Sequence, residues 1–301
     1  MEYSIEVDFA PIYECVSSLT AFMNKQNHNA LEAGKLWVRE VQDRFAPAKI
    51  LQMRDTMKAT DGFNLAPYIW TCPGERSVAG FLNWLEDLST GQLYDIAAGL
   101  KLSVPSNLPE LRNRTAEALR EWDSAYFQHI DPSILKGLAQ EAETRRSHLN
   151  GTNNQEIYEQ VTEGMRLYPN SHLKKVILIP QYHARPFVTS VIFDEVIFTH
   201  YSCDILPPAP GRPAHGLMRL TRALSDETRL YILRLLADRH LTFTEIVREV
   251  NLSKSTIHYH LIALRAAGLV IVHVDHKSTS YSLRREALNK LSGEIATYIE
   301  D

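Results

Sequence analysis

Several polar side chains late in the chain have the types and spacing that contact with a nucleic acid requires. At the periodicity of a helix, Ser255 and Tyr259 project to one side, and Thr256 and His258 lie on its flanks. Small hydroxyl groups near a helix start allow a close approach to phosphate oxygens and base edges. Lys254 and the free amides of the first turn add a phosphate-binding end. We predict that the residues contacting double-stranded DNA are Lys254, Ser255, Thr256, His258, Tyr259, Arg265, His276 and Lys277.

The opposite side of this helix is apolar. Ile257, Leu261 and Leu264 follow one another in steps of four and three residues, which places them in one inward-facing stripe. His260 borders the stripe, so we expect it to pack and hydrogen-bond rather than to read bases. Arg265 fits two interpretations equally well, a phosphate contact or a member of a surface ion pair.

Two other groups of residues have types that could bind ligands. His183, His200 and Cys203 fall close together in the sequence, but a metal ion needs three or four converging donors. We therefore expect no metal site. Six aromatic side chains could line an apolar effector pocket, although at helical spacing they more often form an ordinary core. They are Trp37, Trp70, Trp84, Trp122, Tyr68 and Phe81.

Sequence motifs of catalysis are missing. The chain has no G-x-S-x-G, no glycine loop for phosphates, no H-E-x-x-H and no C-x-x-C. Its paired acids, such as Glu86-Asp87 and Asp194-Glu195, are adjacent and diverge on a helix or strand, which does not suit acid–base chemistry. We expect no enzyme activity and no cofactor.

The elements around the polar helix form a recognisable order. Asp226 is a good N-cap for a helix that continues through Leu230, Leu233, Leu236 and Ala237. Thr242 or Thr244 caps a short second helix, and Asn251-Leu252 makes the turn before a third helix that Ser253 caps. Gly268 closes this third helix, and 269–274 with 280–283 predict a β-hairpin around 275–278. This order predicts a winged helix-turn-helix, in which one helix enters a major groove.

A proline-rich segment divides the chain. Residues 207–213 contain four of the prolines and a glycine, which fit neither a helix nor a central strand. We predict a domain at 1–206 for sensing or oligomerisation, a stiff linker at 207–213 and a DNA-binding domain at 214–301.

The pattern before the linker is mostly helical. Short β-branched and aromatic runs at 175–179, 187–193 and 196–200 follow the helices and predict a small antiparallel sheet. The predicted fold class is mainly α, a helical N-terminal domain with a terminal antiparallel β element and a C-terminal winged helix-turn-helix. Helices are predicted at 11–23, 30–44, 48–58, 75–88, 108–127, 132–148 and 154–167.

Composition indicates a cytoplasmic globular protein. The 301 residues are 45% hydrophobic and 23% charged, and no apolar run is long enough for a membrane span. The first 14 residues are acidic, unlike a secretory signal, and the three cysteines are far apart. Net charge is −4 overall, but residues 214–301 carry 12 Lys+Arg against 10 Asp+Glu. A mildly basic end on an acidic body is typical of a sensor joined to a DNA reader.

The C-terminal 85 or so residues resemble ArsR/SmtB-type bacterial regulators. Residues 223–233 are similar to the opening helix pair of that family, and 253–261 with 264–270 are similar to its recognition helix. The resemblance implies a homodimer built through the first and last helices of this domain, near 217–224 and 286–300. It also implies a palindromic operator and, usually, repression.

The chain departs from the family at the metal-sensing positions. Residues 241–250 contain no Cys and 286–300 contain no His, so neither usual metal site can form. The large N-terminal half is similar to the sensor halves of some two-domain members. We therefore predict a dimeric repressor controlled by a non-metal small molecule. Two alternatives stay open, an enzyme domain tethered to a winged helix and a constitutive DNA-binding protein.

Overall fold

The computed structural model describes residues 3–59, 64–102, 105–149, 153–168, 172–275 and 278–300. The chain divides into two compact units. The first comprises Met1–His148 and His172–Ile205, and the second comprises Leu149–Ser171 and Leu206–Asp301. None of the described helices is both long and apolar enough to cross a membrane.

Helices make up most of the described residues. In chain order they are α1 (Pro11–Met23), α2 (Gly34–Gln42), α3 (Pro47–Ala59), α4 (Ala66–Thr71), α5 (Val78–Asp87), α6 (Thr90–Gly99), α7 (Leu108–Ala125), α8 (Pro132–Ser147), α9 (Asn154–Val161), α10 (His215–Leu224), α11 (Glu227–Leu235), α12 (Phe243–Val250), α13 (Lys254–Ala266) and α14 (Arg285–Glu300). The strands are β1 (Ser4–Val7), β2 (Met165–Leu167), β3 (Lys175–Gln181), β4 (Thr189–Ile192), β5 (Val196–Ser202), β6 (Leu241–Thr242), β7 (Val270–Val274) and β8 (Thr279–Leu283).

Four predicted helices of the first unit agree with α1, α3, α7 and α8 to within two residues at either end. Those at 30–44 and 75–88 are shorter in the structure, as α2 and α5. Helices α4 and α6 were not predicted. For α6 the local signal exists, because Ser89 and Gln92 form a capping box in which each side chain bonds the other residue's amide.

The sheet of the first unit is mixed, and the prediction of an antiparallel sheet was wrong. Its strand order is β1-β3-β5-β4, with β1 and β5 both parallel to β3 and only β4 antiparallel to β5. β3 is buried at six consecutive positions, which is typical of a strand covered on both faces. Strand β1 comes from the start of the chain, so no local pattern near 175–200 could predict its pairing with β3.

The aromatic residues of the first unit pack as a core. Trp122 and Phe81 are fully buried, and Trp37, Trp70 and Trp84 are partly buried against them. Two of these indoles make hydrogen bonds: Trp37 Nε1 donates to the Tyr126 hydroxyl at 2.7 Å and Trp70 Nε1 to Glu6 at 3.0 Å.

The second unit joins two separate parts of the sequence. Helix α9 and strand β2 lie in Leu149–Ser171, called the inserted segment below, which the sequence analysis had assigned to the N-terminal domain. The helix predicted at 154–167 ends at Val161, because the backbone turns through positive φ at Glu163 (56°) and Gly164 (114°) and continues as β2. Strand β2 then pairs in parallel with β7, which gives a sheet of order β2-β7-β8-β6.

The proline-rich residues 207–213 contain neither helix nor strand. The chain passes from the first unit to the second between Ile205 and Leu206. Helices α10 to α14 and the hairpin of β7 and β8 follow in the order of a winged helix-turn-helix.

Candidate nucleic-acid interface

Local hydrogen bonds define the ends of the helix-turn-helix. The Asp226 carboxylate accepts the Arg229 amide at 2.9 Å and caps α11, as predicted. Thr242, rather than Thr244, caps α12 in a capping box with Glu245. Asn251 takes the left-handed conformation (φ 56°) that ends α12, and Ser253 Oγ accepts the Thr256 amide at 3.2 Å to begin α13.

The inner face of α13 is the predicted apolar stripe. Ile257, Leu261 and Leu264 are buried in a core that includes Ile232 of α11 and Ile246 of α12. The stripe fixes which side of α13 faces outward, because residues opposite these three positions have no core to enter. In α11, Leu233 is buried whereas Leu230 is 48% exposed.

The outer face of α13 carries the predicted polar side chains. Lys254, Ser255 and His258 are exposed, Tyr259 is 45% exposed, and Thr256 is half-buried. The sequence from 252 to 268 contains no Asp or Glu, so no carboxylate of α13 itself repels a phosphate.

The hydroxyl groups at the start of α13 form one small cluster. Ser253 Oγ lies 2.9 Å from Ser255 Oγ and 2.7 Å from Thr256 Oγ1. These contacts hold the hydroxyls beside the free amides of the first turn, where the helix dipole favours an anion. The arrangement can bind a phosphate oxygen while Tyr259, one turn further on, reaches towards a groove.

The structure does not support the predicted DNA contact of Arg265. Its side chain is buried, and Nη1 donates a hydrogen bond of 2.9 Å to the carbonyl oxygen of Thr162. Burial also lowers the pKa of Arg265, because desolvation penalises its charged form. The Arg265 side chain therefore points into the protein rather than towards a duplex, and the Thr162 carbonyl that it binds lies 103 residues away in the sequence.

The last two predicted contacts are the wing residues His276 and Lys277, and His260 was predicted to pack in the core. His276 and Lys277 lie outside the described residues. His260 is buried, as predicted, with Nδ1 3.8 Å from Asp226 Oδ1, and desolvation lowers its pKa. Beside the wing tip, backbone hydrogen bonds of 3.1 and 3.3 Å join Asp275 and Ser278.

The wing sheet holds a buried histidine, His273, that was not predicted. His273 Nδ1 lies 3.0 Å from the Tyr168 hydroxyl and Nε2 lies 2.7 Å from Ser282 Oγ, while the ring stacks on His240 at 4.3 Å. Burial, with smaller effects of His240 and Arg166, lowers the pKa of His273 to about 4. No local signal could have found this group, because Tyr168 comes from the inserted segment.

The three possible metal donors near β5, His183, His200 and Cys203, do not form a metal-binding group. His183 Nδ1 pairs with Glu14 at 2.5 Å, desolvation lowers the pKa of His200 to about 4, and burial raises the pKa of the Cys203 thiol. All three cysteines are buried and unbridged. Among the described residues, no three His, Cys, Asp or Glu side chains are grouped so that they could hold a metal ion.

The first unit contains a buried polar chain that the sequence did not indicate. Glu14 is fully buried and accepts the His183 amide at 2.8 Å as well as its Nδ1. His183 Nε2 lies 2.8 Å from the Tyr126 hydroxyl, which also accepts from Trp37. When His183 Nδ1 donates to Glu14 and the Tyr126 hydroxyl donates to His183 Nε2, each hydrogen bond of this chain has one donor and one acceptor.

Comparison with known proteins places the helix-turn-helix in a family. The family model described as bacterial regulatory protein, arsR family, matches residues 226–272, which hold α11, α12, α13 and the start of the wing. A curated relative, the uncharacterized HTH-type transcriptional regulator YceK of Bacillus subtilis (strain 168), is 37% identical over 70 residues, covering 23% of this chain and 70% of that protein.

The chain belongs to the arsR family of bacterial regulatory proteins.

Other transcriptional regulators match a similar share of the chain. The HTH-type transcriptional regulator CmtR of Mycobacterium tuberculosis (strain ATCC 25618 / H37Rv) is 32% identical over 84 residues, 28% of this chain and 71% of that protein. Among solved structures, an ArsR-like transcriptional regulator from Rhodococcus sp. RHA1 is 30% identical and covers 27% of this chain and 77% of its own, with a TM-score of 0.26. The C-terminal domain is thus the DNA-binding domain of an arsR-family transcriptional regulator.

Proposed function

We propose that this arsR-family protein is a dimeric repressor that acts in the cytoplasm, binds a palindromic operator and is released from it by a non-metal small molecule. The observation that carries the proposal is the outer face of α13. Ser255 and Tyr259 are exposed there on a helix whose other side is held by a core. A polar, carboxylate-free helix face of this kind fits a major groove.

Dimerisation has its own support in α14. No residue of this helix is buried, and Leu288, Tyr298 and Ile299 expose 37, 42 and 73% of their surface. Apolar side chains in that number on one helix favour a partner surface. A second copy would present a second α13 and double the number of phosphate contacts.

The effector part of the proposal rests on the division of the chain. The first unit has a core and a sheet of its own, separate from the DNA-binding domain. The family's metal positions are unavailable, since α12 contains no Cys and α14 no His. We propose that the first unit is a non-catalytic sensor, which controls DNA binding by preferring one of two conformations.

The DNA-binding proposal is tested by fluorescence anisotropy with the duplex that precedes the protein's own coding sequence. Ser255→Glu places a carboxylate beside the phosphates but also near a helix N-terminus, where negative charge is favourable. It should therefore leave the domain folded and weaken binding at least about tenfold, the equivalent of about 1.4 kcal/mol. Tyr259→Ala should weaken binding as well.

Ser106→Glu serves as the matched control, because Ser106 is an exposed residue of the first unit. It should bind like the wild type. Absence of wild-type binding at low salt, or equal binding by Ser255→Glu and wild type, would remove the proposal. The effector part is tested separately, by screening metabolites for compounds that change both the melting temperature of the full chain and its DNA affinity.

A further inference from the structure

We propose that Arg265 is a positioning residue, which fixes the orientation of the recognition helix α13 by fastening its last turn to the inserted segment. The inference deepens the proposed function and rests on it, since it concerns how the DNA-reading helix is held. It assigns a role to α9 and β2, which the helix-turn-helix order of α11 to α13 does not include.

The contact between Arg265 and the inserted segment is buried and specific. Arg265 Nη1 donates a hydrogen bond of 2.9 Å to the carbonyl of Thr162, the C-cap residue of α9, and both side chains are buried. A carbonyl at a helix C-terminus has no partner within its own helix and carries partial negative charge. A guanidinium is therefore a fitting cap for α9. Thr162 is itself fixed, because its hydroxyl donates to the Tyr158 carbonyl at 2.6 Å and accepts the Met165 amide at 3.1 Å.

Ion pairs hold the same end of α9 to other elements of the second unit. Arg219 of α10 lies 3.5 Å from Glu163, and Arg284, which follows β8, lies 4.0 Å from Glu159. Glu159 also pairs at 2.7 Å with Arg166, within the inserted segment. These contacts attach the end of α9 to helix α10 and to the residue that follows β8.

Strand β2 fixes the inserted segment to the wing. Met165 and Leu167 are in register with Val272 and Val274 of β7, and the Val272 amide donates to the Gly164 carbonyl at 2.7 Å. Gly164 is needed there: its φ is 114°, and a Cβ would lie 2.5 Å from the Val270 carbonyl oxygen. The close approach of Gly164 to Val270 therefore fixes the register in which β2 of the inserted segment pairs with β7.

The consequence for α13 follows from helix geometry. Lys254 and Arg265 lie about 16 Å apart along the helix axis, so a tilt of about 10° at one end moves the other by about 3 Å. Such a shift is enough to separate Ser255 and Tyr259 from a groove. Both ends of the inserted segment continue into the first unit along the chain. A change of state in the first unit can therefore reach α13 through Arg265 as well as through the linker.

The experiment measures DNA affinity and amide exchange on the full chain. Arg265→Met roughly keeps the packing volume but removes the charge and the hydrogen bond to the Thr162 carbonyl, and Arg265→Lys keeps a cationic donor. We expect Arg265→Met to weaken binding to the protein's own promoter duplex about tenfold and to speed hydrogen exchange across 254–263. Exchange in α11 should stay unchanged, and Arg265→Lys should restore part of both. Arg114→Met, at a partly exposed arginine of the first unit, should match the wild type in both measurements.

Gly164→Ala tests the same attachment from the other side. It should displace β2 and reproduce the effects of Arg265→Met, whereas Gly99→Ala, where a Cβ meets nothing within 4 Å, should not. Wild-type affinity and wild-type exchange of α13 in Arg265→Met would overturn the inference.

Exchange in the unaltered protein gives a test that needs no variant to fold. The amides of 157–168 and of α13 should open together, with equal protection. Much faster opening of 157–168 alone would contradict the inference. Failure of the wild type to bind the duplex would instead contradict the proposed function, and the exchange result would still decide the role of Arg265.

Discussion

Single side chains of α13 can give a duplex two different kinds of contact. Lys254, exposed at the helix start, offers a charge to a phosphate. Tyr259 offers a ring and a hydroxyl that can reach base edges or sugars. Phosphate contacts act on every sequence and depend on salt, whereas base contacts carry the sequence preference. The two roles can therefore be separated by measurement.

Lys254→Ala should weaken binding to the promoter duplex and to an unrelated duplex by the same factor. Each lost phosphate contact lowers the slope of log affinity against log salt by about 1, hence by about 2 for a dimer. Titrations at several salt concentrations measure the slope. Lys136→Ala, at an exposed lysine of α8, should leave it unchanged. An unaltered slope in Lys254→Ala would show that Lys254 touches no phosphate.

His273 should make the second unit sensitive to acid. In the folded protein the pKa of His273 is about 4, below the ordinary 6.5. Between these two pH values the unfolded chain binds a proton at this histidine and the folded protein does not. The free energy of unfolding should thus decrease between pH 6.5 and 4 by up to about 1.4 kcal/mol per pH unit. Urea unfolding at pH 7 and pH 5 measures the loss. His273→Gln should reduce it, and equal losses in both proteins would contradict the assignment.

Among the elements, α11 depends on its N-terminal cap. Asp226→Ala removes the acceptor of the Arg229 amide and should lower the free energy of unfolding by about 1 kcal/mol. Asp226→Asn keeps an equally good capping oxygen and should cost much less. Chemical denaturation of both variants provides the comparison. Equal losses would mean that the negative charge near His260, rather than the cap, stabilises α11.

Whether an element could be predicted depends on how local its causes are. The caps of α11 and α13 and the apolar stripe of α13 arise from residues within a few positions of each other, so the type of the capping residue and the apolar periodicity predicted them. Strand neighbours are set by distant segments, so β1 and β2 were missed and the sheet of the first unit was taken for antiparallel. The burial of Arg265 has the same origin, since Thr162 lies far away in sequence.

At the scale of the whole molecule, DNA binding should depend on association through α14. The double variant Leu288→Asp/Ile299→Asp places charge on its exposed apolar positions and should sediment as a monomer. Loss of the second half-site should weaken operator binding by about 100-fold or more. Leu36→Asp, at an equally exposed leucine of α2, should stay dimeric. A dimeric double variant with normal affinity would contradict this interface.

The split origin of the second unit also limits how these proteins can be recombined. A chimera that joins a foreign sensor at the proline-rich junction would receive α10 to α14 but lose β2, the edge strand beside β7. The unpaired backbone groups of β7 would then be exposed at that edge of the wing and could pair with another chain, which promotes aggregation. A working graft needs two crossover points, one on each side of the inserted segment, in addition to the one at the junction.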